Sequence, residues 1–109
     1  MGVPSQAGSF ERYVGLSYKA ARAKLIHAGY RAVPLKHPSS DAYCRHDNFC
    51  RLFPEAVECS DVGQGPCLFA LLDRKSGKYI VVSTVGEYPW VTGIGAADSD
   101  DIEAIKERR

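Results

Sequence analysis

The sequence predicts an α+β fold: one amphipathic helix packed on a small antiparallel sheet of three to four strands, stapled by disulfides, with a short C-terminal helix. Three observations carry this. A helical period runs from Tyr18 to Ala28. Three runs rich in Val, Ile, Leu and aromatic residues, Ala56 to Cys59, Cys67 to Leu72 and Tyr79 to Val85, are separated by turn clusters. All four cysteines lie between Cys44 and Cys67, in the least regular part of the chain. A length of 109 residues suits a single domain. Residues 1–8 read as a disordered or vector-derived N-terminus and 9–109 as the domain.

In the first helix Ser17 stands where a hydroxyl can cap the free N–H groups, and Gly29 where the chain can leave through the left-handed region. A 100° step puts Tyr18, Ala21, Leu25 and Ala28 on one face and Lys19, Ala23, Lys24 and His27 opposite. Tyr30 to Val33 reads as a short strand stopped by Pro34. From Cys44 to Phe53 the pattern is poor; Asp47-Asn48 would cap a single turn carrying Phe49, Leu52 and Phe53.

The second half reads as an antiparallel meander. The connection Arg74-Lys75-Ser76-Gly77 sets Asp73 opposite Lys78, hence Leu71 opposite Ile80 and Phe69 opposite Val82. With Cys59 opposite Cys67, Val57 falls opposite Phe69, on the side that would receive the helix. A further strand covers roughly Tyr88 to Thr92. Ser99 then caps a last helix with Asp100, Asp101 and Glu103 early and Lys106, Arg108 and Arg109 late, which suits its dipole.

The even cysteine count points to pairing. Cys44 with Cys50 and Cys59 with Cys67 is the favoured connectivity, because each pair encloses a short segment rich in turn residues. The rivals are free thiols and a zinc site, with His46 near Cys44 and His27 or His37 as further ligands. No C-x-x-C spacing offers two thiolates to one metal. Disulfides imply an oxidising compartment, so a periplasmic or secreted protein with any signal peptide already removed is expected.

The 14 basic and 13 acidic side chains nearly balance, so bulk charge draws the chain to neither nucleic acid nor an anionic membrane. Locally, residues 1–54 carry net +5 and residues 55–109 net −4. No apolar run is long enough to span a bilayer.

Catalytic chemistry is hard to place. His27 lies on the wet helix face, His37 and His46 lie in irregular segments, and none has a nucleophile and orienting group at a telling distance. Thr92-Gly93-Ile94-Gly95-Ala96-Ala97 has the look of a dinucleotide turn but lacks a second strand and an acidic residue downstream. Asp61-Val62-Gly63-Gln64-Gly65-Pro66 offers too few oxygens for calcium and reads as a turn cluster. No catalytic residue, metal ligand or cofactor is expected. The candidate binding surface is Tyr88 and Trp90, an aromatic group beside a turn, together with Asp61 and Gln64. The basic set Arg22, Lys24, Arg31, Lys36, Arg45 and Arg51 reads as solvated surface or a cationic patch.

The segment from Val14 to Tyr30, with Gly15-Leu16-Ser17, the helical Ala and Leu, and the closing Gly29, resembles the opening of a PASTA module. That resemblance implies an association with cell-wall fragments. PASTA modules do not characteristically carry cysteines, and no PASTA-like strand pair follows. From Gly15 to Val85 the chain is similar to a group of small secreted proteins of Gram-negative bacteria, through Cys50-x-x-Phe53-Pro54-Glu55-x-x-x-Cys59-Ser60-x-x-Gly63-x-x-x-Cys67-x-Phe69. It implies an envelope location and disulfides and lends no catalytic residue.

The reading that follows is a non-enzymatic periplasmic or secreted binding module whose partner is a protein or a cell-envelope component. An enzyme-inhibitor or immunity-type protein is the second reading, and a small thiol enzyme or hydrolase using Cys44 and His46 the third.

Overall fold

The computed structural model describes residues 10–36, 52–59, 65–86 and 88–109. Its elements are a 3-10 turn at Glu11–Tyr13, helix α1 at Tyr18–His27, strands β1 at Tyr30–Ala32, β2 at Ala56–Cys59, β3 at Cys67–Asp73, β4 at Tyr79–Val85 and β5 at Trp90–Ala96, and helix α2 at Ser99–Arg108. The α+β expectation holds, but the sheet has five strands, all antiparallel, where three to four were expected.

Helix α1 starts where Ser17 accepts the Ala20 N–H, and it ends at Gly29, whose φ of 110° suits the residue without a Cβ. Tyr18, Ala21 and Leu25 are fully buried, as their spacing requires. Ala28 is exposed, since it is the cap at which the helical turn ends and no longer points into the sheet. Helix α2 begins one residue earlier than expected. Asp98, not Ser99, is its cap, and Asp98 and Asp101 satisfy one another's backbone N–H groups reciprocally.

The strands run β1-β3-β4-β5, and β2 pairs β3 on the same edge as β1. β1 faces Leu71 to Asp73 and β2 faces Cys67 to Phe69, so the two are halves of one edge strand lying end to end. Val33 N–H donates to the Ala70 carbonyl and Ala70 N–H to the Glu55 carbonyl, so the chain leaves the ladder after Val33 and rejoins it at Glu55, both beside Ala70. The expected β3–β4 register is found, with Asp73 N–H bonded to the Lys78 carbonyl, Leu71 opposite Ile80 and Phe69 opposite Val82.

One pairing is corrected. Ala56, not Val57, lies opposite Phe69, because a bulge between Ala56 and Glu58 inserts Val57 as an extra residue. A bulge leaves the Cys59–Cys67 pairing intact while turning Val57 to the other face. Phe69, Leu71, Ile80, Val82 and Val91 pack under α1. Val57 joins Val33, Leu35, Ala70 and Ile105 of α2 on the opposite side. The C-terminal helix is therefore part of the core. Its end is tied down where Lys36 N–H donates to the Arg108 carbonyl and Arg109 donates to the Tyr79 hydroxyl.

Candidate functional site

The face of the sheet that receives α2 also carries a groove. Leu68, Ser83 and Val85 alternate with Cys67 and Thr84 along their strands, so they point away from α1. Leu68 packs against the cluster that Val57 and Ala70 form with Ile105 of α2, while Ser83 and Val85 are half-buried. Together with Glu58, Pro66, Thr92 and the paired Cys59 and Cys67 they line this groove of about 400 Å³ at one end of the sheet. The Cys59–Cys67 disulfide, with Cα atoms 4.1 Å apart, fixes that side of it. Within β5, Thr92 Oγ1 donates to the Ser83 carbonyl, where the β4–β5 register shifts and Thr92 becomes an extra residue.

Trp90 of the candidate surface stands beside a residue of the groove wall. Trp90 is directly opposite Val85, so its ring shares the face of the groove wall. That ring lies over Gly86, where φ is 98° and a Cβ would come within 3.5 Å of the indole. Trp90 remains 50% exposed and Tyr88 82% exposed. Asp61 and Gln64 lie outside the described residues, as do Cys44, Cys50, His37 and His46. His27 is exposed on α1.

A second constellation was not legible in the sequence. Glu55 is fully buried, yet its Oε2 accepts hydrogen bonds from the Tyr18 hydroxyl at 2.5 Å and from Arg22 Nε at 2.6 Å, with Nη2 3.4 Å from Oε1. Tyr18 in turn stacks on Phe69 at 3.8 Å between ring centroids and meets the edge of Phe53 at 4.9 Å. Burial first, and then the adjacent carboxylate, push the Tyr18 phenol well above the ordinary tyrosine range. Arg22 is thus no free member of a cationic surface: its guanidinium is paired with Glu55 and lies over the Phe53 ring. Glu55 drew no attention in the sequence because its partners are 33 and 37 residues away; the only local signal was a carboxylate at the mouth of a strand.

Chemically, the two regions differ. In the clasp the Glu55 carboxylate is fully buried and paired, and only Arg22 reaches partly to solvent. The groove is open, weakly charged and lined by hydroxyl and apolar groups. Cys59 and Cys67 are joined to each other and so present no thiolate. Among the described residues no three His, Cys, Asp or Glu side chains are grouped as a metal site would need, and no helix is long and apolar enough to cross a membrane.

The chain matches no family model, no curated protein and no solved structure.

Proposed function

We propose that this protein is a non-enzymatic binding module of the periplasm or the extracellular space, and that its partner, a protein or a cell-envelope component, docks on the groove lined by Leu68, Ser83 and Val85. One observation carries the reading: Tyr88 and Trp90 are exposed, and Trp90 stands beside the wall of a concave, weakly charged surface that a disulfide staples. A rigid surface with exposed aromatic anchors binds at low entropic cost, because little has to be ordered on contact. The disulfide supports the oxidising compartment.

The experiment compares the oxidised protein with a Ser83→Trp variant, in which the new side chain fills the groove. Each is immobilised and exposed to a bacterial envelope extract. A component retained by the first and not the second is then purified and titrated against the wild-type protein, with the emission of its lone tryptophan as readout. A saturable change in emission is expected. Equal retention on both proteins, or a purified component that leaves Trp90 emission unchanged, overturns the reading.

A second reading, a plug-like inhibitor or immunity-type protein, is favoured by the protrusion of the Tyr88-Pro89-Trp90 turn itself. It predicts that Tyr88→Ala abolishes binding while Ser83→Trp leaves it unchanged.

A further inference from the structure

We infer that the groove takes a saccharide, a neutral chain of about three hexose rings laid across the strands from Glu58 to Trp90. This rests on the binding-module reading and names the chemical class of the ligand.

The ladder sets one row of residues side by side on this face. Glu58 is opposite Leu68, Leu68 opposite Ser83, and Ser83 opposite Gly93. Val85 stands two residues further along β4 on the same face, with Trp90 opposite it. Strand spacing and residue rise then place Glu58 and Trp90 about 16 Å apart at the backbone, a span that about three linked sugar rings cover. Between them the floor is low, because Gly93 has no side chain and nothing stands within 4 Å of where its Cβ would be.

The polar groups along this line accept hydrogen bonds. The Glu58 side chain is exposed and makes no ion pair among the described residues. Thr92 Oγ1 donates its proton to the Ser83 carbonyl, which leaves its lone pairs to an incoming donor. Among the described residues no lysine, arginine or histidine lines the groove. A ligand that satisfies these groups therefore brings donors and no negative charge, since an anion would meet Glu58 with no cation to offset it. At the far end stands the exposed Trp90 ring, backed by Gly86, and such an indole takes a surface that is apolar on its face and wet at its edge. A sugar ring answers both demands: its hydroxyl groups donate around the edge while its C–H groups pack flat on the indole. A peptide answers them less well, because the backbone groups beneath the groove are already committed to the ladder and offer no main-chain pairing.

The test titrates four neutral trisaccharides, maltotriose, cellotriose, mannotriose and triacetylchitotriose, into the oxidised full chain, with tryptophan emission and backbone amide shifts as readouts. At least one is expected to saturate the emission change, to shift the amides of Glu58, Ser83 and Trp90, and to bind about tenfold or more tightly than its own monosaccharide. Glu58→Ala should weaken that binding about tenfold, as loss of a hydrogen bond to a charged acceptor requires. Should that variant fail to fold, as its amide spectrum would show, Thr92→Val replaces it. Absence of saturable binding by all four up to about 10 mM overturns the assignment. So does binding that the substitution leaves unchanged, or that shifts amides elsewhere and spares the groove. An envelope protein retained by the wild type and lost on Ser83→Trp, with no trisaccharide bound, defeats the saccharide assignment and leaves the module reading standing.

Discussion

The Tyr18 hydroxyl donates to Oε2 of Glu55 across 37 residues of sequence, and the bond joins the first turn of α1 to the point where the chain re-enters the sheet. The Glu55 carbonyl accepts from Ala70 N–H in the ladder while its side chain takes both Tyr18 and Arg22, so one residue ties helix and edge strand together. Removing the charge should cost more than removing the phenol oxygen. Glu55→Gln is expected to lower stability by about 2–3 kcal/mol, toward the low end for breaking a buried pair because Arg22 remains 27% exposed. Tyr18→Phe should cost about 1–2 kcal/mol. Denaturant unfolding of both and of the double variant checks this, and additive losses would show that the two groups do not act as a unit.

Alkaline titration reads the same contact. A folded-state phenol pKa raised above its unfolded value contributes stability that is fully present below about pH 10, the unfolded value, and is lost as pH climbs toward the folded one. Stability should therefore fall above about pH 10, and one tyrosine should ionise only as the protein unfolds. Following tyrosinate absorbance together with circular dichroism tests this. Tyr18→Phe should remove that linked loss, and an unchanged alkaline slope in the variant would assign it to other groups.

The Cys59–Cys67 bond pins β2 to β3 immediately after the bulge. Replacing both with serine should cost about 2–3 kcal/mol by loop-closure entropy and leave α1 formed, since that helix packs on β3 and β4 independently of the bond. Helical ellipticity with a lowered unfolding midpoint is the expected pair of results. Non-reducing peptide mapping that links Cys59 to Cys44 or Cys50 would refute the pairing outright.

Neighbouring positions on α1 give a sharp contrast. Leu25 is fully buried and Ile26 is 42% exposed. Leu25→Ala should cost about 2–5 kcal/mol and Ile26→Ala under about 1 kcal/mol. Similar losses at the two positions would mean that the helix is rotated on the sheet.

Thr84 is 1% exposed, and its Oγ1 finds no hydrogen-bond partner among the described residues. An unpaired buried hydroxyl is costly, whereas an isosteric methyl is not. Thr84→Val should leave stability unchanged or raise it by up to about 2 kcal/mol, as thermal unfolding would register. A loss above about 1 kcal/mol would indicate that the hydroxyl is satisfied.

What the sequence determined by itself was local. The cap at Ser17, the stop at Gly29, the hairpin from Asp73 to Lys78 and the apolar spacing of Tyr18, Ala21 and Leu25 are set by residues within a few positions of each other, so propensity and periodicity reach them. The opposition of Cys59 and Cys67 is likewise found in the structure. The bulge at Val57 was decided by the tertiary structure, because a strand with one extra residue looks the same in sequence as one without, and only the demand for apolar side chains beneath α2 fixes which face Val57 takes. The pairing of Glu55 with Tyr18 and Arg22 belongs to the same class: a carboxylate enters the core only when long-range folding brings a phenol and a guanidinium to it, and that juxtaposition has no local signature. The seat of α2 is likewise a tertiary fact, since the cluster of Val33, Leu35, Val57, Ala70 and Ile105 joins residues far apart in sequence.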